Sequence, residues 1–353
     1  MHNARARLRS ILNLGAVLLG SSTLFAQNGG LRFSLTDLAI GPLKNQYQSQ
    51  ANAINDFGTI TGSANNNQFC FTYRNRGKPL GVVIATWTSS VAANYCAAAG
   101  INSYGDVGGS IAVPNVGSGT SSNAFLRTYS NNVTTLFPSA YGNFNTHGYG
   151  IDDYKEVVGE MDAPSSTFAT RWSANGTAVI LDYTPTTQAV STTPTGSQVL
   201  VVNTWASAWT WPYGPSLQNP CGQDIFFYSG AMNANAHAVG QFTCFSGLFT
   251  ALWVNGVATA LSSSAWIGGI SNDDWVVGWT GSFGTLRVSD PNCPTPVNIN
   301  TLLDASGAGW TVTAAYGINS SHQIVGEAVN SSGPWPHAVL LTPINNLPLC
   351  WPD

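Results

Sequence analysis

The chain has 353 residues, and only 8% of them are charged, where an average domain carries roughly 25%. With twelve Lys+Arg against sixteen Asp+Glu and a net charge of −4, it lacks the dense basic face that a nucleic-acid partner requires. Gly, Ser, Thr, Asn and Trp fill the gap, a mixture too apolar and aromatic for disorder and suited to short strands joined by tight turns.

Residues 1–26 have the shape of an export signal. Arg5, Arg7 and Arg9 precede a short apolar run over 11–19, and small residues lead to Ala26. The run is too short to span a bilayer and Asn13 interrupts it. Leu24 suits a cleavage site poorly, but Ala26 is the expected boundary. The expectation is a soluble, secreted or periplasmic protein whose single domain covers 27–353. Residues 31–38 then alternate, with Leu31, Phe33 and Leu35 against Arg32, Ser34 and Thr36, which is strand periodicity. This strand precedes any complete repeat.

From Ile54 onward a nonapeptide recurs. Copies open at Ile54, Ile101, Ile151, Met232, Ile270 and Ile318 and close at Gly62, Gly109, Gly159, Gly240, Gly278 and Gly326, eight positions later each time. Before each opening residue stands Gly or Ala: Ala53, Gly100, Gly150, Ala231, Gly269 and Gly317. After it stands a turn former: Asn55, Asn102, Asp152, Asn233, Ser271 or Asn319. A β-branched pair, a variable loop and a small-plus-aromatic strand follow. Asn175-Gly176 and Asn255-Gly256 then mark hairpins before a last apolar strand.

The copies start 47, 50, 81, 38 and 48 residues apart. The doubled gap hides a worn seventh unit. Residues 197–202 read as its β-branched strand, and Trp209 and Trp211 align with Phe125 and Trp253. Four short strands per unit at this period predict a seven-bladed β-propeller, because one blade cannot bury both faces alone. The strand at 31–38 is placed to complete the last blade, taken to begin at Ile318, and so close the ring. A β-solenoid is the rival, although its periods are usually shorter.

These stretches resemble the HAF family of bacterial extracellular repeats. The pattern I-N-x-x-G-x-V-V-G, followed by an H-A-F-L-like strand, matches 54–62, 101–109, 151–159, 232–240, 270–278 and 318–326. Only His337-Ala338 keeps the first two letters of the second motif, and 123–126 keeps the next three. The resemblance covers roughly 31–342 and implies export and a propeller-like array, with no reaction or catalytic residue attached.

Six cysteines in an exported chain read as three disulfides, and pairing sequence neighbours gives Cys70–Cys96, Cys221–Cys244 and Cys293–Cys350. No Cys/His set has zinc spacing, and no cofactor is implied. The acidic third copy, with Asp152, Asp153, Glu156, Glu160 and Asp162, fits no EF-hand and reads as a solvated turn. Glu160 and Glu327 each follow a closing glycine, where two carboxylates could meet a ligand in the channel or simply alternate outward to water. Trp205, Trp209, Trp211 and Tyr213 crowd the worn repeat; Trp205 and Tyr213 are the candidates there for stacking on sugar rings. With no convergent catalytic set, the expectation is a monomeric, non-catalytic module that binds extracellular carbohydrate or protein. The alternative is a hydrolase or lyase working on polysaccharide through carboxylates such as Glu160 and Glu327.

Overall fold

The computed structural model describes residues 30–40, 48–74, 82–88, 95–114, 120–130, 134–142, 144–203, 207–212, 214–228, 230–263, 265–287 and 296–345. Cys293, Cys350, Trp205 and Tyr213 lie outside them, as does the segment 1–26. No helix among the described residues is long and apolar enough to cross a membrane.

Seven small antiparallel sheets follow one another along the chain, the arrangement of a seven-bladed β-propeller. The innermost strands are Ser49–Ile54, Cys96–Ile101, Thr146–Ile151, Thr187–Thr192, Ile225–Phe226, Trp266–Ile270 and Trp310–Ile318. Six sheets have four strands and the fourth has three. In that fourth blade the outer position among the described residues is taken by a single bridge from Trp209 to Ser216, with the Leu217 N–H donating to the Ala208 carbonyl and the Thr210 N–H to the Pro215 carbonyl. Phe33–Asp37 pairs antiparallel with Pro336–Pro343 and forms the outer strand of the seventh blade, so the first and last described strands close the ring. The seventh blade begins at Trp310 rather than at Ile318. The nonapeptide straddles a hairpin, with its opening residue ending one strand and its closing glycine lying in the next.

The core is divided among the seams. Seven apolar clusters each join neighbouring blades. The cluster of Val277, Leu286, Val312 and Ile324 also takes in Leu31, Phe33 and Leu35, which explains the alternation of the first strand. Trp209 and Trp211 pair with Val201 and Val199, the positions that Phe125 and Trp253 hold against Gly109 and Ala238, and both pack half-buried against the seam between blades three and four. Asn255 and Gly256 both have positive φ, as a two-residue hairpin demands. Cys70–Cys96 bridges the first two blades with Cα atoms 5.5 Å apart. Cys221–Cys244 ties the approach to the fifth blade onto its second strand, with Cα atoms 5.2 Å apart.

The two fixed small positions have separate causes. Before the opening residue, inner strands of neighbouring blades touch: a Cβ on Gly100 would come 3.3 Å from the Gly150 Cα, and one on Gly317 equally close to the Ala53 Cα. At the closing glycine, the innermost strand bulges and turns a carbonyl onto it. A Cβ on Gly62, Gly109, Gly159, Gly278 or Gly326 would stand about 2 Å from that oxygen, which no side chain tolerates. Gly159→Ala should therefore cost about 2–3 kcal/mol. Gly281→Ala, with nothing near its added carbon, should stay within about 0.5 kcal/mol of the parent. Urea midpoints of the two variants decide it; equal midpoints would refute this reading of the repeat.

Candidate functional site: the channel and its two mouths

A central cavity of about 180 Å³ is lined from all seven blades, through residues such as Ala53, Gly100, Gly150, Ser191, Met232, Gly269 and Gly317. One mouth carries the nonapeptide turns. The other lies where the innermost strands begin.

At the turn mouth every clear copy builds the same loop. The amides of Gly58, Gly105, Lys155, Ala236, Asp274 and His322 donate back to the carbonyls of Asn55, Asn102, Asp152, Asn233, Ser271 and Asn319, and all six have positive φ. The side-chain oxygen of the turn former accepts inside the loop. Asn55 Oδ1 takes the amides of Phe57 (3.1 Å) and Thr59 (2.9 Å), and Asn102, Asn233 and Asn319 repeat the pattern. The side-chain amide then reaches across the seam. Asn319 Nδ2 donates to the Asn55 carbonyl (3.0 Å), Asn55 to Asn102 (2.8 Å), Asn102 to Asp152 (3.0 Å) and Asn233 to Ser271 (2.9 Å). Asparagine suits the place because it accepts with one atom and donates with the other. The fourth blade keeps the loop without its sequence: Thr193 stands in for asparagine, Gly196 N donates to the Thr193 carbonyl, and the loop is one residue longer.

Asp152 interrupts this relay. Its Oδ1 accepts from the amides of Tyr154 and Glu156, both at 2.9 Å. Its Oδ2 is buried with no hydrogen-bond partner among the described residues and faces Gly196, where an added Cβ would collide with it. Burial pushes this carboxyl up to about 6, against the two amides that favour its charged form. The solvated-turn reading of the acidic copy is thus wrong for Asp152, which is 0% exposed. Glu156 instead pairs with Arg171 at 3.1 Å, and Asp153 accepts from Ser103 N and Oγ, both at 2.9 Å.

The opposite mouth holds the two glutamates. Glu160 is buried and Glu327 half-buried, so neither simply alternates outward to water. Each is met by the tyrosine that bulges from its own innermost strand. Tyr149 Oη donates to Glu160 Oε1 at 2.7 Å, where His147 Nδ1 also lies at 2.8 Å. Tyr316 lies close enough to Glu327 to feel its charge, and Thr313 Oγ1 lies 3.2 Å from the Glu327 Oε1. Burial, then the adjacent carboxylate, pushes both phenols up, so they remain protonated donors. Burial likewise raises the Glu327 carboxyl, opposed by the Thr313 and Tyr316 hydroxyls. Both tyrosines line the channel.

Between these positions, three blades contribute an aromatic cluster. Trp266 and Trp279 pair across strands with rings stacked 6.3 Å apart. Tyr228 of the fifth blade packs 6.1 Å from each, and Tyr316 of the seventh stands edge-on to Trp279 at 5.3 Å. Trp266 is 40% exposed. The sequence reading missed this cluster, although Trp279 was visible as the residue after a closing glycine, the same place as Glu160 and Glu327. No group of three or more His, Cys, Asp or Glu among the described residues is arranged to hold a metal ion.

No family model matches the chain, and no curated protein matches it in sequence. Its fold has clear counterparts. A catalytically inactive virginiamycin B lyase from Staphylococcus aureus, solved with quinupristin, superposes with a TM-score of 0.56 at 10% identity, over 88% of this chain and 99% of that one. YCF48 bound to D1 peptide superposes with a TM-score of 0.50 at 10% identity, over 90% and 98%. These likenesses establish a β-propeller and carry no activity across.

The lone acid in the relay makes stability depend on pH. The folded chain holds the Asp152 proton to about pH 6, whereas an unfolded chain releases it near the ordinary value of 3.8. Its contribution is therefore full below 3.8, is lost as pH rises towards 6, and costs at most about 3 kcal/mol above that. Asp152→Asn should raise the unfolding midpoint at pH 7 and remove this fall. A variant less stable than the parent at pH 7 would contradict it.

Proposed function

We propose that the protein is exported and acts outside the cytoplasm as a monomeric, non-catalytic binding propeller, with carbohydrate as its leading ligand. The observation that carries the reading is the aromatic cluster of Tyr228, Trp266, Trp279 and Tyr316 at the strand-start mouth, with Glu327 beside it. Flat rings offer apolar faces to the C–H side of a sugar, and fixed hydroxyl and carboxyl groups bind its hydroxyls. The two disulfides and the tripartite N-terminus support an oxidising, exported setting. The HAF-type repeat reading rests on the nonapeptide, whose geometric requirements recur in six blades.

A polysaccharide hydrolase or lyase is the second reading. It is favoured by the raised carboxyl of Glu327, which would hold a proton for a leaving group better than an ordinary carboxylate. Glu160 would be the second carboxylate. Trp205 and Tyr213 remain proposals for ligand contact from the worn repeat.

Calorimetric titration against a panel of soluble polysaccharides separates the readings. Binding should be weakened about tenfold by Trp266→Ala while the unfolding midpoint stays close to the parent's. Glu327→Gln should leave the glycan chain length unchanged on incubation, as the parent does. A Trp266→Ala variant that binds as tightly as the parent would end the carbohydrate proposal. Shortening of the glycan by the parent but not by Glu327→Gln would establish the enzymatic reading instead.

A further inference from the structure

The turn mouth carries a feature that its hydrogen-bonded loops do not need. Two residues after the turn former stand Phe57, Tyr104 and Tyr154, in the first three blades, and their side chains are 65%, 66% and 71% exposed. The other blades fill the same place with Thr195, Asn235, Asp273 and Ser321. The loop uses only the backbone amide of this residue, which donates to the turn former. The rings therefore contribute nothing to the turn, and exposing three of them in a row invites a partner.

Their surroundings define that partner's chemistry. Immediately before the rings stand Asp56, Ser103 and Asp153. Asp56 and Asp153 also line the channel, and they are its charged lining residues among those described. The carboxylates are held in place from neighbouring blades: Asp56 Oδ1 accepts from Ser320 N at 2.8 Å, and Asp153 accepts from Ser103 N and Oγ. Nearby cations are committed elsewhere. Lys155 lies 3.6 Å from Asp106, Arg171 lies 3.1 Å from Glu156, and Arg74 Nη1 lies 3.4 Å from Tyr129 Oη. An exposed ring beside a fixed carboxylate attracts a guanidinium or ammonium group by its π-face and by charge together. A polyanion would be repelled, and a neutral sugar would hydrogen-bond the carboxylates but leave their charge unanswered.

We propose that this arc of Phe57, Tyr104 and Tyr154, rimmed by Asp56 and Asp153, is a docking site for a partner's extended peptide segment bearing several arginine or lysine side chains. The seams fix the spacing of the platforms, because Asn55 and Asn102 lace the three turns to one another. Little ordering of the protein is left for the moment of binding. The site is at the end of the channel opposite the aromatic cluster and does not depend on carbohydrate binding there.

Fluorescence anisotropy of a labelled hexa-arginine peptide against the full chain tests it. Saturable, salt-weakened binding is expected. The triple variant Phe57→Ser/Tyr104→Ser/Tyr154→Ser should lose about tenfold or more in affinity. Serine is the residue already present in the seventh blade, and the variant's net charge is that of the parent, so diffuse attraction between an acidic protein and a basic peptide would survive it. Asp56→Asn should weaken binding as well. Absence of binding, equal binding by the triple variant, or equal binding of hexa-glutamate would overturn the proposal, as would loss of a neutral hexasaccharide rather than the peptide on making the triple variant. Trp266→Ala serves as the control: it should leave the peptide affinity unchanged.

Discussion

A side-chain amide in four of the seven turns, handing a hydrogen bond to the next blade, is the interaction on which the remaining geometry depends. It fixes its own loop with its oxygen and the next blade with its nitrogen, so local and long-range order are set by a single residue. The bond from Asn319 to Asn55 is the same contact as the others, yet it joins residues 264 positions apart and seals the ring at the turn mouth. On the outer rim, the pairing of Phe33–Asp37 with Pro336–Pro343 seals the same blade from the other side. Both closures use the geometry of ordinary antiparallel pairing and turn formation.

Where the relay stops, other contacts take over. Ser271 is too short to reach the seventh blade; it caps its own loop and donates to Asp273 at 2.6 Å. That aspartate holds His322 at 2.7 Å, with the imidazole stacked 3.8 Å from Trp275, while Asn272 reaches Ser320 Oγ at 2.9 Å. The neighbouring Asp274 holds His237 of the fifth blade at 2.8 Å. At the third seam Asp152 offers no ready donor, and contact passes instead through the Asp153 amide to the Pro194 carbonyl. The frame is thus built from backbone, small residues and short polar groups. The recurring positions of the motif are taken up by that frame, so the candidate sites lie where the side chains vary from blade to blade, at the two mouths.

Much of this frame was legible in the sequence because its constraints are local. The glycine eight positions after each opening residue, the small residue before it and the Asn-Gly hairpins all answer to backbone geometry, so they repeat in place. Even the worn repeat could be found, since Trp209 and Trp211 keep the register of a third strand after the turn sequence has gone. The blade boundary was misplaced by one strand because a motif that spans a hairpin looks like a beginning. The sites were far less legible. Tyr228, Trp266, Trp279 and Tyr316 are dispersed over 89 positions of sequence and meet only when three blades are set side by side. Glu160 and Glu327 were found by position, but the tyrosines that engage them sit on a bulge, and the two-residue period of a strand gives no sign of a bulge. The destination of each asparagine Nδ2 was equally hidden, because it belongs to the next blade.

The relay is tested most directly by replacing its donor and nothing else. Asn55→Asp keeps the oxygen that accepts from Phe57 and Thr59 and removes only the nitrogen that reaches Asn102. Equilibrium unfolding in urea at pH 7 should show a loss of about 3 kcal/mol, for the missing bond and the buried charge, and the loss should shrink as the new carboxyl is protonated at lower pH. A variant as stable as the parent at pH 7 would contradict the account, since the blades would then be held together without the contact assigned to join them.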